Sequence, residues 1–171
     1  MLEILQKAPL PTYSDGLIHL PLTASMKIVE LNTLTDAQVA QLQELMLQLD
    51  GEILVTAEML KEAAACPATH LFAVIEDPAA PATIIGCASL CVFSSPTGCK
   101  ATIEDVVVDS AQRGRHIGRA LIEHIIDFAQ RELAPVEIHL TSRPHRVAAN
   151  ALYSSLGFRR KETNVYIMVV Q

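Results

Sequence analysis

The chain has 171 residues, half of them hydrophobic, and a formal net charge of −6. That length suits one domain with its own core, and no apolar run approaches the roughly 20 residues a membrane helix requires. The acidic balance argues against a general nucleic-acid binder, and MLEILQKAPLPTYSDG lacks the basic-then-apolar order of a secretory signal, so a cytoplasmic protein without membrane or nucleic-acid partners is expected.

Residues 1–25 show no clear period and hold Pro9, Pro11 and Pro21, which reads as an extension wrapped on a domain spanning 26–171. Within it GLIHLPL is a candidate edge strand. MKIVEL then opens the domain as a short strand. Thr35 or Asp36 is placed to cap a helix through about Leu49, with Val39, Leu42, Leu45, Met46 and Leu49 on one apolar face. Thr56 caps a second helix, AEMLKEAAA, ending before Pro67. HLFAVIE reads as a strand, DPAAPAT as a turn, and IIGCASLCVF and ATIEDVVVD as strands joined by SSPTGCK.

The second half alternates. A helix is expected over about 117–132, with Ile117, Leu121, Ile125 and Phe128 inward, then VEIHLTS as a strand. A helix follows over about 147–156, stopped by Gly157, and FRRKE with NVYIMVV are expected to finish the sheet as an antiparallel pair. The class is α/β with a mixed sheet. The four cysteines, Cys66, Cys87, Cys91 and Cys99, form no CxxC pair and have no His at metal-ligand spacing. They read as reduced core residues, with no metal site expected.

QRGRHIG, residues 112–118, follows the buried-strand pattern IEDVVVD and leads into a helix. A helix N-terminus exposes unpaired N–H groups and the positive end of the helix dipole, where a phosphate accepts several hydrogen bonds at once. Gly114 and Gly118 clear side chains from the approach, and Arg113, Arg115 and Arg119 add charge. A basic strand-to-helix turn explains the segment equally well. It matches neither the P-loop nor the GxGxxG fingerprint.

Together with RVAANALYSSLGF, this stretch resembles the GNAT superfamily of acyl-CoA-dependent N-acetyltransferases. The family loop reads Q/R-x-x-G-x-G/A; Arg113 fills its first position and Gly118 its last, while His116 stands where Gly is usual. Ala149, Leu152, Tyr153, Gly157 and Phe158 meet the downstream pattern A-x-x-L-Y-x-x-x-G-F. A positive φ at His116 would cost about 1 kcal/mol or more; a negative φ would cost nothing.

The resemblance implies a mostly antiparallel sheet with one splayed parallel pair, here ATIEDVVVD and VEIHLTS, flanked by helices. It implies acetyl-CoA as cosubstrate, with pantetheine along Val106, Val107 and Val108. The pyrophosphate would lie on Arg113, Gly114, Arg115, His116, Ile117, Gly118 and Arg119. Acetyl passes directly to an amine in a ternary complex. Tyr153 is then the proton donor to the thiolate, and Asn150, on the same helix face, a cofactor contact or a cap.

Glu104 is the leading candidate base, because a carboxylate within an apolar run needs a purpose or a partner; substrate binding and a structural pair are its other readings. Strict alternation sends Asp105 to the opposite face unless a bulge intervenes, and a structural hydrogen bond is expected of it. His139 is a cleft candidate or a satisfied core histidine, and His124 is structural.

IEDVVV with its loop also resembles the glucosamine-6-phosphate N-acetyltransferase branch. The acceptor-side segment around Asp50, Glu52, Glu58 and Glu62 carries Lys61 as its only basic residue, which suits a cationic small-molecule or peptide amine better. An amino-sugar phosphate acceptor, a non-catalytic CoA-binding module and an interaction protein using the fold alone stand as alternatives. By the same resemblance NVYIMVV is a candidate homodimer surface.

Overall fold

A computed structural model describes residues 26–76 and 82–170. The expected extension 1–25, its candidate edge strand GLIHLPL and most of the DPAAPAT turn lie outside the described residues. Contacts divide the chain into two compact units, one comprising His19–Thr141 and the other including Ser142–Gln171.

The first unit is a five-stranded sheet in the order β1-β2-β3-β4-β5. Its strands are β1 Met26–Glu30, β2 Thr69–Glu76, β3 Thr83–Ser95, β4 Gly98–Val108 and β5 Glu137–Leu140. The first four pair antiparallel, and β4 with β5 pair parallel. SSPTGCK is mostly strand rather than a linker, since β3 and β4 stay paired to Ser95↔Gly98. Gly98 takes the positive φ of 119° that this tight reversal needs.

Helix α1, Asp36–Leu49, starts where Thr35 closes a capping box: Gln38 N–H donates to Thr35 Oγ1 at 3.3 Å, and Thr35 N–H donates to Gln38 Oε1 at 2.9 Å. Such a cap stabilises a helix by about 1 kcal/mol. Helix α2, Ala57–Ala65, is capped by Thr56. The apolar stripe of α1 packs with Leu60 and Ala64 of α2 against Leu71, Ala73, Ile84, Cys87 and Val107 on one face of the sheet.

Helix α3, Ile117–Glu132, takes the other face. Its His124 and Phe128 rings lie 5.1 and 5.3 Å from Phe72, both edge-on. Burial lowers the His124 pKa, in keeping with a structural role. The cysteines correct the expectation of four core thiols: Cys87 is buried, Cys91 and Cys99 are half-buried, and Cys66 is exposed. Cys66 lies just past α2, in the exposed turn where Pro67 prevents the helix from continuing.

The second unit holds α4, Val147–Ser155. Gly157 ends it at φ 91°, with Phe158 N–H donating to Tyr153 O at 3.1 Å, the closure expected of a glycine C-terminus. FRRKE and NVYIMVV do not form the expected strands: residues 158–170 lie in no strand, and Tyr166 to Val170 are each more than 80% exposed. An apolar run becomes a strand only where a second strand offers its edge, and the described residues give this segment none.

Candidate active site

The two halves of β4 differ. At Lys100 to Ile103 the strand is paired on both sides, with β5 running parallel from Lys100↔Glu137 to Ile103↔Leu140. From residue 104 on, no described strand pairs β4 on the β5 side. β5 ends at Leu140, opposite Ile103, so strand pairing on that side of β4 stops there.

A bulge marks the change. Cys87 faces Val107 and Ser89 faces Glu104, so two steps on β3 answer three on β4. The extra residue is accommodated at Asp105, whose φ is 54°. Aspartate tolerates this left-handed conformation better than most side chains. The bulge breaks strict alternation, so the expected assignment of Glu104 and Asp105 to opposite faces no longer follows. Burial and then Asp105 raise the Glu104 pKa; burial raises that of Asp105, whose residue remains accessible while protein crowds its carboxyl. Two neighbouring carboxyls, each with its pKa raised by burial, hold a proton more readily than free carboxylates do.

Beyond Val108 the chain forms a single 3₁₀ turn, Ser110–Gln112, capped by Asp109. It reaches α3 through Gly114 at φ 83° and His116 at φ 58°. His116 therefore adopts the costly one of its two expected conformations. It is the N-cap of α3 but makes no side-chain cap bond, and the first intrahelical bond runs from Ala120 N–H to His116 O at 3.0 Å. The first turn of α3 thus keeps the anion-ready character of a helix start.

Around this turn the arginines are largely engaged. Arg113 Nε donates to Val108 O at 3.4 Å; Arg115 donates to Gln112 and bridges to Glu76 at 2.9 Å; Arg119 bridges to the buried Glu123 at 2.8 Å. Two of the three charges are thus paired within the chain.

Two further contacts support the loop and the strand. Gln48 Oε1, in the last turn of α1, accepts Ser110 N–H at 2.8 Å; nothing in its spacing signals this. At Gly86 a Cβ would meet Val107 O at 3.0 Å and Ile117 Cγ2 at 3.5 Å. An isolated glycine within a strand is itself a sign of such close approach.

The remaining candidates are placed as follows. His139 faces Thr102 across the parallel pair, with Nε2 3.5 Å from Glu137 and making no hydrogen bond, so it is not the satisfied core histidine expected. In the second unit, the Asn150 amide donates to Arg143 O and Arg146 O, both at 3.0 Å, holding the start of α4. Tyr153 is buried, its ring 6.1 Å from Phe158, and burial raises its phenol pKa against the pull of Arg146. A phenol so placed keeps its proton at neutral pH.

Comparison with known proteins identifies the family. The chain is 33% identical over 78 residues to N-alpha-acetyltransferase RimI of Mycobacterium tuberculosis, covering 46% of this chain and 47% of that protein. It is 33% identical over 103 residues to a probable glucosamine 6-phosphate N-acetyltransferase 2 of Oryza sativa, covering 57% of this chain and 59% of the relative. The chain therefore spans about half the length of these curated relatives. A putative acetyltransferase from Agrobacterium tumefaciens superposes with a TM-score of 0.70 at 25% identity, over 84% of this chain and 99% of that one. Across residues 38–158, from α1 through the opened strand and the loop to the end of α4, the sequence matches the Acetyltransferase (GNAT) family, whose members generally take their acetyl group from acetyl-CoA, and the chain belongs to that family.

Proposed function

We propose that this protein acetylates a cationic primary amine, small-molecule or peptide, by direct transfer from acetyl-CoA. The observation that carries the reading is the opened half of β4 leading into an α3 N-terminus without a side-chain cap. Backbone groups along Val106, Val107 and Val108 suit the amides of pantetheine, which would add to the strand edge as a peptide does. The amides from Arg113 to Arg119 suit the pyrophosphate.

The thioester supplies the activated acetyl group; the chain's residues manage protons. An alkylamine of pKa near 10.4 costs about 4–5 kcal/mol to deprotonate at neutral pH. Glu104, with its raised pKa, is assigned as the base that takes this proton, directly or through water. Tyr153 is assigned as donor to the departing thiolate; its support is the family pattern and its protonated, buried phenol.

The acceptor class rests on charge. Glu52, Glu58 and Glu62 are exposed around the start and face of α2, while Lys61 is bound to Asp36 at 3.0 Å. Hydrogen bonds from the backbone and Thr56 keep Glu58 ionised. That surface attracts a cation and repels a phosphorylated sugar, although the rice relative keeps the amino-sugar phosphate as the second reading.

Calorimetric titration with acetyl-CoA and thiol release over an amine panel test the proposal. Binding that Gly118→Trp abolishes, with turnover of cationic amines, is expected. Binding without turnover of any acceptor would leave a CoA-binding module, and turnover of glucosamine 6-phosphate alone would select the second reading.

A further inference from the structure

The turn between α2 and β2 brings two cysteines to one threonine. Thr69 N–H donates to Cys66 O at 3.0 Å, closing the exposed turn, and Val92 N–H donates to Ala68 O at 2.7 Å. This second bond sets Thr69 directly opposite Cys91 in the β2–β3 register. Directly opposed residues project from the same face of a sheet. Thr69 Oγ1 lies 3.9 Å from Cys91 Sγ, and the Thr69 backbone closes the turn onto Cys66.

The two thiols differ in the way a reactive pair requires. Cys66 is open to solvent, and N–H groups of Ala68 and Thr69 together with the Thr69 hydroxyl hold its pKa below the usual thiol value. Cys91 is half-buried and pushed up by burial, with Glu104, Asp105 and Cys66 adding repulsion. Cys87, by contrast, is buried and pushed up to about 12, which makes it inert.

We propose that Cys66 and Cys91 form a peroxide-sensitive dithiol pair that closes to a disulfide beside the Thr69 hydroxyl. The Cys66 thiolate attacks one oxygen of hydrogen peroxide; the O–O bond breaks, hydroxide leaves, and a sulfenic acid forms. The Cys91 sulfur then attacks the Cys66 sulfur, the S–O bond breaks, and hydroxide departs with the Cys91 proton as water. In sum, two thiols and one peroxide give one disulfide and two waters, the sulfurs oxidised and the peroxide oxygens reduced. The bridge ties the end of α2 to the strand beside Glu104, which faces Ser89, two residues from Cys91. The chemistry is independent of the acetyltransfer reading.

The test treats the reduced full chain with hydrogen peroxide and maps its peptides without reduction. A Cys66–Cys91 link that dithiothreitol reverses is expected, forming faster as pH rises because Cys91 must lose its proton. Cys91→Ser should instead accumulate a Cys66 sulfenic acid captured by dimedone, and Cys66→Ser should yield no link. Cys66 is exposed, so its serine variant has little cause to misfold, and circular dichroism checks both. Cys66 advancing to sulfinic acid with the Cys91 thiol intact, an unreactive Cys66, or links only between chains would each overturn the proposal.

Discussion

One strand carries two kinds of structure. Between Lys100 and Ile103, β4 has neighbours on both sides, and Ala101 and Ile103 are almost fully buried. A few residues on, the same strand has a neighbour on one side, a bulge, a left-handed aspartate and two carboxyls with raised pKa values. The first half is held by pairing on both sides; the second, on the proposed reading, leaves one strand edge to the cosubstrate. The proposed chemistry would sit beside the most firmly paired part of the strand.

Substitutions in the two halves of the strand should therefore separate activity from stability. Glu104→Gln is expected to lower kcat by about a hundredfold or more while melting is little changed, since a general base contributes roughly 10²–10⁴; steady-state kinetics and a melting curve decide. Ile103→Ala should do the reverse, costing about 2–5 kcal/mol in a denaturant titration for a buried side chain, with activity per folded molecule largely kept.

Asp105→Asn sharpens the comparison through pH. Its raised folded pKa means that the unfolded chain loses the proton first, so stability falls as pH rises from the ordinary Asp value of about 3.9 through the raised one. The variant should be stabilised at pH 8 and indistinguishable near pH 3, as melting at the two pH values will tell. His116→Gly is the smallest effect. Relief of the left-handed strain, offset by glycine's chain entropy, should gain at most about 1 kcal/mol, read from the same titration.

The sequence revealed what depends on local chemistry. Thr35 and Thr56 announced their helices, Gly157 its stop, and the stripe through Ile117, Leu121 and Ile125 its buried face. It also showed where α3 starts, because helix starts are read from a few adjacent residues. What depends on distant partners was not legible. NVYIMVV has strand composition but no described edge to pair with. The Asp105 bulge reflects the β3 register, and Cys66 is exposed because a turn leaves it there. Gln48 bonds the loop from far along the chain.

Amide hydrogen exchange with and without acetyl-CoA probes the opened strand most directly. Saturating ligand should slow exchange at residues 104–108 and in the first turn of α3, while β1 and residues 100–103 stay unchanged. Tight binding that leaves those two segments exchanging as before would contradict the claim that main-chain groups there hold the ligand.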